Sequence, residues 1–214
     1  MPGIAEHHRV RRSYDTVAET YRERIGDELD GKPLDRALLA ALVEEAGPEP
    51  VVVDLGCGPG HVAAWLAGQG VRAVGVDLSP AMVATGRAAY PGVEFREGDL
   101  LGLPAADGEF DAAVALYSVI HLAADELRPA FAEMRRVLRP DGTLLVAFHV
   151  GTETRHLDDW WGHPVDVDFH FFPVELVADA LRDVGLVVRA RLERSPLPQE
   201  ASTERCYLLA RRPA

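Results

Sequence analysis

The stretch VVVDLGCGPG, residues 51–60, decides how the rest of the chain is read. VVVDL reads as a buried strand, and Gly56, Gly58 and Gly60 follow it at G-x-G-x-G spacing. A backbone that sheds its side chains at the carboxyl end of a strand is making room for something.

Outward from this loop, strands and helices alternate. A helix is expected from His61 to Ala67, a strand over 71–77, and a helix from Pro80 to about Tyr90 with Ser79 as its cap. Strands over 93–97, 110–118 and 143–149 follow, with a helix from Glu126 to Leu138 before the last of them. A helix over Pro173–Val184 leads to two strands, 186–193 and 205–211, read as antiparallel. Upstream, one helix is expected from a Ser13 cap to about Ile25, with Tyr14, Val17, Ala18 and Tyr21 on one face. A second spans Pro33–Ala46 and presents Leu34, Leu38 and Leu42. Almost unbroken apolar strands alternating with helices predict an α/β, Rossmann-like, doubly wound fold. It would have a mostly parallel seven-stranded sheet, helices on both faces and a C-terminal antiparallel hairpin. Such sheets bind ligands beyond the carboxyl ends of their strands, where strand order reverses.

The 214 residues suit one domain, 1–214, and 48% hydrophobic with 26% charged residues describes an ordinary globular protein. A net charge of −12 disfavours a nucleic-acid-binding role, and no stretch reads as a membrane span. The start MPGIAEHHRV has no apolar signal core, and two cysteines suit a reducing compartment, so a cytoplasmic location is expected.

Three ligands compete for the glycine loop. A P-loop needs Lys-Ser/Thr after the glycines, where this chain has His61-Val62. A nicotinamide dinucleotide loop needs a small third residue where His61 stands, which disfavours a pyrophosphate. A nucleoside ligand without pyrophosphate remains. Asp77 ends the second strand, where a carboxylate can accept ribose hydroxyl protons. Asp99, in Gly98-Asp99-Leu100, can accept from an adenine amino group, with Leu78, Met82 and Leu100 against the ring. Asp54 can hold the glycine turn's amides or, through water, a ligand ammonium group. Three acids and no evident basic residue suit a cationic ligand.

These motifs resemble those of the class I S-adenosylmethionine-dependent methyltransferases, especially the small-molecule, ubiquinone-biosynthesis-like branch. DLGCGPG, VGVDLSP, EGDLLGLP, FDAAVALYSVIHL and RRVLRPDGTLLVAF occur in the family's order over roughly residues 13–150. The resemblance implies the cofactor S-adenosyl-L-methionine, its methionine portion at the glycines. The implied contacts are Tyr14, Tyr21, Asp54, Gly56, Cys57, Gly58, Gly60, Asp77, Leu78, Met82, Gly98, Asp99, Leu100 and Leu116. Cys57 is read as a small packing residue rather than a reactive thiol.

Methyl transfer needs a nucleophile held in line with the methyl group, water excluded, and a base when the nucleophile starts protonated. His121, in YSVIHL, is the candidate base, against a reading as a wall or capping histidine. Tyr14 and Tyr21 resemble lid tyrosines, able to set aromatic faces beside a sulfonium. Residues 1–47 are expected to form an N-terminal helical lid, and 148–173 an acceptor-binding insert. That insert packs Trp160, Trp161, Phe169, Phe171 and Phe172 among His149, His156, His163 and His170. Tyr117, His149, Trp160, Trp161, His170 and Phe171 are the expected acceptor contacts, and no metal is expected. The place after the fourth long strand reads Ala115-Leu116-Tyr117-Ser118, without the Pro-Pro motif of base and glutamine methylases. A small organic acceptor, methylated on O, N or C by a monomer or homodimer, is the leading reading. A nicotinamide-dependent oxidoreductase and a non-catalytic cofactor-binding module are the alternatives.

Overall fold

Valine-rich runs pair where both faces of a sheet can be covered. The computed structural model describes residues 2–214, with side chains from Ala5 onward. β1 (Val51–Leu55), β2 (Arg72–Asp77), β3 (Glu94–Glu97), β4 (Phe110–Leu116), β5 (Leu138–His149), β8 (Val187–Arg194) and β9 (Arg205–Arg211) form one seven-stranded sheet. Its order is β3-β2-β1-β4-β5-β9-β8. β1 lies parallel to β2 and β4 (Val53 opposite Val74 and Ala113), and β9 runs antiparallel to β5 and β8. The order reverses between β1 and β4, which places the glycine loop at the crevice.

Side chains alternate across a strand, so β1 feeds two cores. Val53 and Leu55 join Phe131 and Met134 of α5 (Leu127–Val137) and Val177 and Leu181 of α6 (Val174–Asp183). Val52 joins Leu39 and Leu42 of α2 (Pro33–Ala46) and Leu66 of α3 (His61–Gly68). These leucines are fully buried, each worth about 1.5–3 kcal/mol. α4 (Pro80–Ala89) starts as expected, the Ser79 hydroxyl accepting from Met82 N–H.

Three expectations change, and one segment with no expected element gains structure. α1 runs from Pro2 to Ile25, so Ser13 is not a cap; it is buried mid-helix, and its hydroxyl accepts the Asp166 N–H. α2 buries Asp35, Leu39, Leu42 and Ala46, while Leu34 is exposed. Most of α2 packs into the core and covers the sheet; within 1–47, α1, the 3-10 turn Glu28–Gly31 with its flanking Asp27 and Lys32, and Asp35 at the start of α2 reach the crevice. β5 begins at Leu138 rather than at the expected Thr143, pairing Phe110 across a bulge. Finally, residues 154–170 form a separate two-stranded hairpin, β6 (Thr154–Trp160) and β7 (His163–His170).

Among the described residues, no helix is long and apolar enough to cross a membrane.

Candidate active site

The chain turns sharply after β1, and the turn determines which residues stand there. Gly56 has φ +74°, and a Cβ on it would lie 2.2 Å from Ser118 Cβ, so no side chain fits. The amides of Gly56 and Cys57 both donate to the Val76 carbonyl, at 2.8 and 3.0 Å. Gly58 N–H donates to Asp77 Oδ2 (2.7 Å), and Ser79 N–H to Asp77 Oδ1 (2.9 Å). The glycine turn is therefore held by Val76 and Asp77, not by Asp54. Asp54 keeps Oδ2 buried without a partner, as does the Ser118 hydroxyl.

Above this turn lies a cavity of about 870 Å³. Its walls include Tyr14, Tyr21, Asp54, Gly56, Cys57, Gly58, Asp77, Leu78, Gly98, Asp99, Leu100 and Leu116 from the expected cofactor set. Tyr117, His121, His149, Trp160 and Trp161 line it as well. The structure leaves four expected residues off the wall. Gly60 (φ +86°) lies where a Cβ would strike the Phe95 ring at 2.4 Å, so its smallness serves packing beneath the loop. Met82 is buried under Val17 and Ala18 of α1. Phe171 sits behind His149, their rings 5.3 Å apart. His170 bonds Thr154 and Glu6 instead.

The walls also carry bases that sequence reading had excluded: His7, Arg11, Arg24, Lys32 and Arg205. They come from α1, the turn before α2 and the last strand, and no local motif marks them. Lys32, the only lysine in the chain, is buried, its Nζ 2.6 Å from Glu28 Oε2 and 5.8 Å over the Tyr117 ring. Glu28 also accepts from His61 Nε2 (3.0 Å). Burial would raise the Glu28 carboxyl, but His61 and Lys32 outweigh it and hold it down at about 2.

His121 is fixed at both ring nitrogens. Nδ1 donates to the Asp168 carbonyl (3.0 Å), which leaves the Nε2 lone pair to accept the Tyr14 hydroxyl (2.7 Å). Burial lowers His121 to about 4 and raises the Tyr14 phenol well above its ordinary value. The pair thus rests neutral, with its mobile proton on Tyr14. Burial likewise raises Asp54 to about 7, His61 opposing and Asp77 adding to it. Asp77 is raised to about 6 by burial, against the Ser79 and Gly58 amides.

Aromatic rings roof the cavity. Trp160 meets Tyr14, Tyr21 and Phe169 edge-on at 5.5–5.6 Å, and Phe169 lies 4.9 Å from the His121 ring. Trp160 pairs with His163 across a two-residue turn whose Trp161 and Gly162 have φ 58° and 85°. That is the backbone of a type I′ turn, where Asn or Asp ordinarily precedes Gly. A tryptophan held left-handed here puts its ring 5.8 Å from Tyr21 and 5.3 Å from the Arg24 guanidinium. Tyr117 is also left-handed, φ 56°, directly after β4. Such strain gathers where a side chain must face a site. The four evenly spaced histidines go to separate partners: His149 to Thr203, His156 to Asp168, His163 to Thr20 and His170 to Thr154. Among the described residues no three His, Cys, Asp or Glu side chains are grouped to hold a metal.

Residues 52–142 match a family model described as a methyltransferase domain. The chain is 37% identical over 145 residues to a demethylmenaquinone methyltransferase of Beutenbergia cavernae, covering 65% of this chain and 58% of that protein. It is 37% identical over 140 residues to one from Chlorobaculum parvum, covering 62% and 56%. The chain thus spans a little over half the length of these curated relatives. Among solved structures, a 1,6-didemethyltoxoflavin-N1-methyltransferase of Burkholderia thailandensis superposes with a TM-score of 0.76 at 21% identity, covering 99% of this chain and 91% of that one. A magnesium protoporphyrin IX methyltransferase of Synechocystis gives 0.74 at 18%, covering 97% of each. At these identities the two structures speak to the fold alone.

Proposed function

We propose that this chain, whose residues 52–142 match the methyltransferase-domain family model, is an S-adenosylmethionine-dependent methyltransferase acting on a small, flat organic acceptor. One observation carries the reading: a single cavity joins the glycine turn, Asp77 and Asp99 to the Tyr14–His121 pair under an aromatic roof.

The cavity fits the cofactor's chemistry. The unpartnered Asp54 Oδ2 suits an ammonium group, the Asp77 carboxylate has lone pairs left for ribose hydroxyls, and Asp99 suits an adenine amino group. Tyr14, Tyr21 and Trp160 bring aromatic rings to the cavity wall, which suits a cation. When bound, the cofactor supplies a methyl group on a positively charged sulfur, open to in-line displacement.

The protein's own part is orientation, exclusion of water and removal of one proton. Trp160, Trp161 and Phe169 form apolar walls suited to a planar ring, with His149 and Tyr117 beside them. An acceptor hydroxyl or amine beside Tyr14 passes its proton to the phenol oxygen as the phenol proton moves to His121 Nε2. The Asp168 carbonyl then holds the resulting imidazolium through Nδ1. Burial disfavours that cation, and a cofactor giving up its positive charge within the same cavity would offset the cost to His121.

Residues 1–214 act as one domain, with α1 as lid and 148–173 as acceptor insert. Two free, buried cysteines support a cytoplasmic location, and the charge of −12 supports small molecules rather than nucleic acid as partners of a monomer or homodimer. A nicotinamide-dependent oxidoreductase is not favoured.

Titration of the protein with S-adenosylmethionine, S-adenosylhomocysteine and NAD tests the reading. One-to-one binding of the first two alone supports it and justifies an acceptor screen with labelled methyl groups. Binding of NAD alone overturns it.

A further inference from the structure

The adenine-side acid is engaged from an unforeseen direction. His7, on the first third of α1, donates from Nδ1 to Asp99 Oδ2 at 2.7 Å and reaches Glu126 Oε2 from Nε2 at 3.3 Å. Its side chain is 13% exposed and lines the cavity beside Val10, Leu100 and Leu122. Asp99 Oδ1 accepts the Leu101 N–H (2.9 Å), so each carboxylate oxygen has one fixed donor. Glu126 is itself tied to the Ala123 N–H (2.9 Å). The imidazole therefore bridges two anchored acids, one before β4 and one before α5.

We propose that His7 is a positioning residue of the cofactor site: reaching from the lid helix, its imidazole fixes the Asp99 carboxylate that reads the adenine amino group, so that selection of adenine depends on α1 being closed. The proposal rests on the cofactor reading above. A carboxylate has about four lone-pair sites, and with two taken by His7 and Leu101 the remainder are aimed rather than free to swing. A free carboxylate would turn toward whatever donor the base edge offered.

The charges around His7 favour its cationic form. Asp99 and Glu126 face it; on its own helix Glu6 turns to Arg9 and His170, and Arg11 to Asp15 and Glu97. Asp166 and Asp168 of β7 are taken by Arg9. The Asp99 hydrogen bond, less the effect of burial, raises His7 to about 9. For Asp99, burial acts upward, but His7 and the Leu101 amide outweigh it and hold the carboxyl below its ordinary value.

The test uses 5′-methylthioadenosine and 5′-methylthioinosine, which differ at the amino group and carry no amino-acid end to titrate. Binding is measured by calorimetry on wild type, His7→Ala and His7→Gln, with thermal melting as a check of folding. At about pH 7, His7→Ala should narrow the preference for the adenosine over the inosine ligand by roughly tenfold or more, the scale of a charge-assisted hydrogen bond. His7→Gln keeps a neutral donor and should retain most of the preference. Wild-type affinity for the adenosine ligand should decline modestly, to about the His7→Gln level, between about pH 8 and 10 as the imidazolium becomes a neutral donor, while that of His7→Gln stays level. Equal losses for both ligands in His7→Ala, or the same pH profile in wild type and His7→Gln, would overturn the proposal. If wild type bound neither methylthioadenosine nor S-adenosylhomocysteine, the cofactor reading itself would fall, and this proposal with it.

Discussion

Asp54 gives the sharpest test of the site, because it should weaken the free protein and strengthen the bound one. It is 2% exposed, Oδ2 has no partner, and burial raises its carboxyl from 3.8 to about 7. An acid raised in the fold contributes stability that is fully present below its unfolded value and is lost as pH climbs through the folded one. The interval spans roughly three pH units, at ~1.4 kcal/mol each about 4 kcal/mol lost by pH 8. Asp54→Asn removes that loss. Its amide nitrogen then takes the unpartnered place, which costs about 1–3 kcal/mol. The net gain is about 1–3 kcal/mol, or roughly 2–10 °C in melting temperature at pH 8 for a chain of this length. At about pH 4.5 the native carboxyl is already protonated in the fold, so the gain should vanish or reverse. Asp77, also raised, slopes the same way in both proteins and cancels in the comparison. S-adenosylhomocysteine affinity should meanwhile fall about ten- to a hundredfold, the ammonium having lost its anion. Melting curves at the two pH values and calorimetry suffice. An equal melting difference at both pH values, or unchanged ligand affinity, would refute the assignment of a raised, ammonium-facing Asp54.

Three further outcomes are expected. His121→Ala should lower turnover of an identified acceptor by about a hundredfold or more while changing S-adenosylhomocysteine affinity less than threefold; equal losses would reduce His121 to a wall residue. Ser79→Ala removes a cap that also donates to Asp15 on α1 (2.6 Å) and should cost about 1–2 kcal/mol by denaturant titration. Trp161→Asn places a preferred residue in a left-handed turn, so thermal stability should hold within about 1 kcal/mol while acceptor binding weakens.

The sheet was legible because each of its inner strands is apolar on both faces, a pattern few other folds produce. Ser79-Pro80 marked the start of α4 for a local chemical reason, and Asp77 stood out as the acid ending a strand after the glycines. The hairpin was not legible. β6 reads TRHLDDW, polar on both faces and exposed along most of its length, so alternation offers no core to count. What holds it in place lies far away in sequence: Ser13, Thr20 and Arg9 of α1, bonded to Asp166, His163 and Asp168. The first part of α1 was missed for the same reason, since IAEHHRVRR has charges to dock rather than an apolar stripe. Met82 looked like a ring-packing residue by its distance from Asp77, yet helical geometry turns it under Val17 and Ala18. Lys32 and Arg205 could not be placed on the wall from spacing alone, because the turn before α2 and the last strand meet only in the fold.

Tyr14 belongs to both halves of the cavity, and α1 is bonded on both flanks: Asp15 and Glu19 to α4, Arg9, Ser13 and Thr20 to β7. On the proposed function, one helix therefore stands over two ligands that would come and go in every cycle. Unloading both products then shares a single opening step, whose rate belongs to the protein and not to the acceptor. Acceptors of different intrinsic reactivity should converge on one steady-state turnover number, each preceded by a rapid first turnover whose amplitude equals the enzyme present.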